Sequence, residues 1–484
     1  MHKPVKKMVS LSVIAMMTHQ ASHAGGFSLY TESSAAAIGN YAAGIAAEGA
    51  DASIGWYNPA GLVLIKDQQI LLGGVGVFPS SKLTGTSTFT TSGFPPPAIQ
   101  AATYKQSFND LQGANSALVP SLHYALPLGE RAVFGLSILS PFGLSTDYPY
   151  DSPVRYAATL SKLETLNVSP EIGGKLTDHF SVGLGLDLQY AKVNFNSMIG
   201  APTALQFYNL ANESDVSLYA LDSSSNNSGD SLGVGFHAGA MFMFDENHTR
   251  IGVNYQSAVS HQFNGTTQLT GKLADPTTAI GDPALGDPNA RITSDALYSN
   301  NIDLPRIVTL SGYRDINARL ALLGSVVYTG WSSFKTITLN NVVVGVPDQG
   351  DTVITSMNPT TNEDYRDTWR FAVGANYHVT DQWMMRVGGG YDQTPTVNAH
   401  RDVRLPDSDR WALSIGAHYQ VMPSIGVDAG YTYLFGTNDA PINSTIPFGD
   451  TSTYNVNATS KSSAQLVGLQ VVWKIDQVKA AVTK

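Results

Sequence analysis

The chain of 484 residues contains no cysteine, so neither a disulfide nor a thiolate metal site can hold it together. It is also poor in charge: Asp, Glu, Lys and Arg make up 14% of the residues, against roughly 25% in soluble domains. Long apolar runs are missing too. The run Met8–Met17 falls well short of the roughly 20 residues a spanning helix requires, and no other stretch approaches that length, which excludes helical insertion. The formal net charge of −10 argues against nucleic acid as a partner. There is no Gly-x-Ser-x-Gly elbow, His-Glu-x-x-His helix or phosphate loop, and the 11 histidines show no metal spacing. Catalysis therefore finds no support, and no cofactor or metal is expected.

What is present starts with an export signal. His2, Lys3, Lys6 and Lys7 precede the apolar run, and Ser22-His23-Ala24 supplies small residues at −3 and −1, so the mature chain is expected to begin at Gly25. Beyond it, residues 180–190 alternate strictly between apolar and small or polar side chains. Successive strand residues face opposite sides, so one face meets an apolar medium and the other a polar one. About eleven residues is the length a tilted strand needs to cross a bilayer. The pattern recurs at 231–244, 369–377, 383–391, 411–419 and 425–433, with aromatics at the ends of the stripes, where the girdles of a membrane barrel belong.

Connections alternate between short ones, such as Leu128-Gly129-Glu130 and Thr380-Asp381-Gln382, and long ones, near 80–116, 146–163, 196–230, 259–303, 332–365, 393–408 and 436–462. That is the hairpin rhythm of an outer-membrane barrel, with short periplasmic turns opposite long extracellular loops. The expected fold is all-β, a transmembrane antiparallel barrel of about 14 strands. The Ala- and Gly-rich segment before the first strand is neither strand-like nor polar enough for a disordered tail, so it is expected to plug the lumen. The expected division is a signal peptide at 1–24, a hatch at 25–64, the barrel at 65–473 and a tail at 474–484.

Taken together, several segments resemble the FadL/TodX family of outer-membrane transporters for long-chain fatty acids and other hydrophobic compounds. They are Gly25-Gly26-Phe27, Asn58-Pro59-Ala60, Thr329-Gly330-Trp331-Ser332-Ser333-Phe334, Tyr365-Arg366-Asp367-Thr368-Trp369, Asp392-Gln393-Thr394-Pro395 and Leu405-Pro406-Asp407-Ser408-Asp409-Arg410-Trp411. The resemblance covers essentially the whole mature chain. It implies a 14-stranded barrel with an N-terminal hatch in the outer membrane of a Gram-negative bacterium, passive uptake of a hydrophobic molecule, and no enzymatic activity.

Several candidate residues follow. Proline cannot donate to a ladder and glycine often marks a bulge, so Ser140-Pro141-Phe142-Gly143 should interrupt the third strand; Pro170 lies in a facing strand. The resemblance makes Pro141, Phe142 and Gly143 a lateral exit; a tolerated proline with a local bulge is the bland alternative. It also places Phe27 against ligand and the hatch motif Asn58, Pro59 and Ala60 against the wall opening. It gives the loops 196–230 and 259–303 an outward capture groove, with Leu205, Phe207, Tyr208 and Leu210 in the first of them.

By parity, Asp187, Arg366, Arg370, Arg386, Arg410 and Asp428 face the lumen, chiefly as bracing ion pairs. A buried carboxylate would need a cation. Tyr190-Ala191-Lys192 resembles a family segment that bears a basic residue at the ligand site, which makes Lys192 a candidate if a bulge or a position above the bilayer turns it from lipid parity; Lys335, just after Trp331-Ser332-Ser333-Phe334, is a second. The expected partners are a hydrophobic small molecule and outer-membrane lipid, with the chain a monomer. Fatty acid is the first substrate reading; aromatic or alkane hydrocarbons and a general porin for polar solutes are the alternatives.

Overall fold

The computed structural model of the chain describes residues 26–91, 102–279, 282, 286–348, 351–448 and 452–475. The expected signal peptide and most of the C-terminal tail lie outside these residues. The described residues form a closed antiparallel barrel of 14 strands. Its strands are β1 (Gln69–Thr91), β2 (Ala102–Gln112 and Ala117–Pro127), β3 (Ala132–Leu139 and Gly143–Asp147), β4 (Leu160–Thr177) and β5 (Phe180–Ile199). Then come β6 (Ser223–Phe244), β7 (Thr249–Gln256 and Val259–Thr270), β8 (Arg291–Leu304 and Ile307–Asp315), β9 (Leu320–Thr329 and Thr336–Asn340) and β10 (Thr360–Asn362 and Thr368–His378). The ring ends with β11 (Trp383–Asp392), β12 (Arg410–Met422), β13 (Ile425–Gly436 and Ala440–Phe448) and β14 (Ser452–Lys474). It closes where β1 pairs β14 from Gln69↔Lys474 to Thr91↔Ser452. Closure removes the free edges that lipid could not satisfy.

Burial is inverted relative to a soluble protein. In β5, Leu184, Leu186 and Leu188 are exposed to lipid, whereas Ser181, Asp187 and Gln189 are buried in the lumen. Aromatic pairs line the rims: Tyr328–Trp369 and Tyr391–Trp411 on one side, Trp383–Tyr419 on the other. Several strands run beyond the expected limits. Most of 80–116 and of 259–303, expected as loops, is ladder, because polar strand extensions above the membrane lose the apolar stripe that marks a strand.

Residues 26–65 lie inside the barrel and are almost wholly buried. Three single-turn helices, α1 (Ala35–Ile38), α2 (Ile45–Glu48) and α3 (Ile54–Tyr57), are followed by a 3-10 stretch at Pro59–Leu64. Wall glycines let this backbone approach. A Cβ at Gly252 would sit 1.9 Å from the Ala46 carbonyl oxygen, and one at Gly239 would sit 1.9 Å from Asn58 Oδ1. At Gly388 it would meet the Asn40 carbonyl at 2.3 Å. Gly252→Val should therefore leave barrel assembly intact, judged by heat-modifiable electrophoretic mobility, while loosening the hatch by about 1–3 kcal/mol, the usual cost of overpacking. Amide exchange at residues 45–48 would rise, and planar-bilayer conductance would become larger and noisier.

Candidate functional site

The third strand breaks where the proline predicts. Leu139 pairs Asn167 and Gly143 pairs Glu164, so β3 spends one residue more than β4 across Ser140-Pro141-Phe142. On that side Thr165 repairs the ladder: its Oγ1 accepts from the Phe142 amide at 3.0 Å and donates to the Phe142 carbonyl. Pro170 does not contribute; it sits opposite Leu136 in an unbroken strand.

The gap opens on the other side, towards β2. The last regular β2–β3 pair is Leu122↔Ile138, and the strands meet again only at the isolated bridge Ala114↔Thr146. Residues 117–121 of β2, with Pro120 among them, therefore have no β3 partner among the described residues. The hatch fills this breach from within. The Leu29 amide donates to the Pro141 carbonyl at 2.8 Å and the Gly143 amide to the Phe27 carbonyl at 2.9 Å, with Ser28 bridged to Phe142.

Phe27 joins the breach to a buried aromatic cluster, and its own ring fills the pocket that the other rings form. Its ring centre lies 6.2 Å from Phe142, 4.6 Å from Trp331, 5.2 Å from Phe334 and 6.4 Å from Tyr365. Leu144 and Leu163 line the same apolar cluster near the breach, and Phe263 and Leu304 line it across the lumen. The preceding residue is tethered, since the Gly26 amide donates to Asp407 Oδ2 at 3.2 Å. Trp331, Phe334 and Tyr365 sit in irregular chain between strand segments, where periodicity carries no information; only the family-like segments drew attention to them.

The hatch motif lies elsewhere. Asn58 Nδ2 donates to the Ala46 carbonyl at 2.7 Å and to the Ala240 carbonyl at 3.1 Å, and Oδ1 accepts from the Ala60 amide. Pro59 packs on Gly173 and Gly183, and Ser181 Oγ donates to the Ala60 carbonyl at 2.8 Å. The motif thus rests on the intact wall of β4 to β7, not at the opening, because only there do glycines clear room for it.

Further bolts run through the lumen. Asp428 pairs Arg386, and Gln470 Nε2 donates to Asp51 Oδ2 at 2.9 Å while its Oε1 accepts from the Ala36 amide at 3.1 Å. Asp187 holds His237 Nδ1 at 3.1 Å, and the His237 ring stands 5.4 Å from Trp56 of the hatch. Arg410 pairs Asp407. Arg366 instead lies outside the lumen, half exposed and paired with Asp409 at 3.1 Å, because it falls in the irregular chain between the two segments of β10, before Thr368.

Neither lysine reaches the pocket. The β5 register runs without a bulge past Lys192, which faces outwards opposite Glu164 and Asp230. Lys335 is exposed beside Asp303 and Thr336. Of the loop residues, Leu205 belongs to α4 (Pro202–Asn212) and is buried in a shared core with Leu221, Leu269, Leu273 and Val343. It binds the two extracellular loops together rather than lining an outward groove. Phe207 and Tyr208 are half-buried, and Leu210 is 74% exposed.

A closed barrel with apolar outer walls, a bonded plug and a buried aromatic cluster behind a break in the wall is a plugged outer-membrane channel. The family model for outer membrane protein transport proteins (OMPP1/FadL/TodX) matches residues 14–474, and the chain belongs to that family. It is 27% identical over 439 residues to the long-chain fatty acid transport protein of Escherichia coli O6:H1, covering 87% of this chain and 89% of that one. It is 29% identical over 466 residues to the 47 kDa outer membrane protein of Pasteurella multocida, covering 96% and 97%. A Pseudomonas aeruginosa FadL homologue superimposes with a TM-score of 0.75 at 26% identity, covering 93% of this chain and all of that one. The protein is an outer-membrane transport channel for hydrophobic compounds, not an enzyme.

One titratable group borders the pocket. Glu363, buried outside the membrane span beside Tyr365, has its carboxyl pushed up from 4.5 to about 8, mainly by loss of water and secondarily by Asp402. A carboxyl raised in the folded state stabilises it below the unfolded value and ceases to do so as pH rises through the folded one. The extracellular cap should thus weaken between about pH 4.5 and about pH 8. Limited proteolysis of loop 393–408 at pH 5 and pH 8.5 checks this, and Glu363→Gln should flatten the difference.

Proposed function

We propose that the protein carries long-chain fatty acids passively into the outer membrane. Substrate meets the exposed apolar surface of α4 near Leu210, enters the aromatic pocket by displacing Phe27, and leaves sideways between β2 and β3. The observation that carries this reading is the pairing of residues 27–29 with Pro141 and Gly143. One short segment both occupies the pocket and seals the wall, so a ligand that takes the place of Phe27 also unseals the breach. In this scheme Asn58, Pro59 and Ala60 hold the rest of the hatch to the intact wall while its first residues move. Diffusion down a gradient drives the transfer.

The similarity to a long-chain fatty acid transport protein of E. coli supports fatty acid as substrate. Aromatic or alkane hydrocarbons by the same route form the second reading. It is favoured by the outward positions of Lys192 and Lys335, which leave the aromatic cluster itself without a lysine. A general porin for polar solutes fits poorly with a lumen filled by a bonded, apolar hatch.

The absence of native cysteine permits a direct test. Ser28→Cys with Phe142→Cys places two thiols across an antiparallel bridge, within disulfide reach. Oxidation should abolish uptake of labelled oleate in cells lacking other such channels, and a reductant should restore it. Full uptake by the cross-linked protein would sink lateral release. Phe27→Ala should loosen the N-terminal end of the hatch by about 3–5 kcal/mol at most, the range for truncating a buried aromatic, and so raise the apparent affinity for substrate, which no longer has a ring to displace. Parallel assays with toluene separate the two substrate classes.

A further inference from the structure

Three arginines of the barrel wall are buried in the lumen: Arg370 on β10, Arg386 on β11 and Arg410 on β12. Two have their counter-ions. Arg386 is paired with Asp428, and Arg410 Nη2 donates to both oxygens of Asp407 at 2.9 Å. Arg370 differs. Its Nε and Nη2 are buried with no hydrogen-bond partner, and it forms no ion pair among the described residues. Its cross-strand partner on β11, the buried Asp392, is turned to Arg410 at 3.7 Å, and the hatch presents it with rings: its guanidinium carbon lies 4.9 Å from the ring centre of Tyr30 and 4.8 Å from that of Tyr41. The acid nearest along the hatch, Glu32, is itself buried, with Oε2 taken by Thr31 at 2.6 Å and Oε1 unpartnered.

An unpaired cation held away from water is costly, and ring faces offset only part of that cost. The guanidinium also keeps two donor nitrogens free, a set that suits a carboxylate. Its location connects it to the pocket. Tyr30, which covers one face of Arg370, belongs to the same apolar cluster as Phe27, Trp331 and Tyr365.

We propose that Arg370 is the anion-receiving residue of the lumen, taking the carboxylate of an amphipathic substrate at the hatch tyrosines while its hydrocarbon chain fills the aromatic pocket. This rests on the pocket reading above and settles its substrate class in favour of carboxylates. The sequence places Arg370 on lumen parity, but parity cannot tell a braced arginine from an unbraced one.

The test uses the full-length protein in nanodiscs and follows tryptophan fluorescence during titration with dodecanoate and with methyl dodecanoate, which has the same chain without the charge. The wild type should bind dodecanoate about tenfold tighter than the ester, the scale of one charge-assisted contact. Arg370→Gln should remove that preference while the ester still binds, and Arg370→Lys should restore part of it. Ester binding and heat-modifiable mobility show that each variant is folded. Glu32→Gln should keep the preference; its loss in that variant, or its persistence in Arg370→Gln, overturns the assignment. Failure of the wild type to bind either ligand would instead overturn the pocket reading. Equal binding of both would refute Arg370 alone and favour hydrocarbons.

Discussion

Within a bilayer every backbone donor and acceptor has to find its partner in protein, and a broken ladder has no water to fall back on. That constraint ties wall and plug together here. Ser140-Pro141-Phe142 parts β3 from β2, and the groups so freed are satisfied by Thr165 on one side and by hatch residues 27–29 on the other. The wall is complete only while the hatch is in place. The segment that seals the breach also carries Phe27 into the aromatic cluster, so seal and cluster share one short stretch of chain.

The two ends of the hatch are held by different physics. Near Phe27 the hold consists of the Gly26 amide's bond to Asp407 and neutral backbone hydrogen bonds, the latter each worth roughly 1 kcal/mol net, together with ring contacts that another apolar molecule can replace. Further along, α1 to α3 press on glycines and are bolted by buried groups such as Gln470, Asp51 and Asn58. Removing a partner from a buried charged network costs roughly 3–5 kcal/mol. The N-terminal end is therefore the more weakly held of the two, and the remainder is the anchor.

Much of the lumen was legible from parity alone. Asp187, Arg370, Arg386, Arg410 and Asp428 all point inwards, since a ladder without bulges carries its alternation unchanged from rim to rim. The rule fails where it is extended past the ladder. Arg366 stands in the unpaired gap between the two segments of β10, and its side chain turns out to Asp409. Lys192 shows the converse. Its lipid parity was readable, and only an assumed bulge could have turned it inwards; the register contains none. Leu205 looked like an exposed apolar residue because one loop read alone cannot reveal that a second loop covers it.

The sequence by itself determined the barrel, its rhythm of short turns, the filled lumen and the position of the break at Pro141. These follow from local chemistry: period-two alternation, the missing amide of proline, and small residues where a backbone has to approach. Only the tertiary structure decided which neighbouring strand the break faces, what seals it, and which buried arginine lacks a counter-ion. Those facts depend on residues separated by long stretches of chain, such as Phe27 with Phe142 and Tyr30 with Arg370, brought together when the ring closes around the hatch.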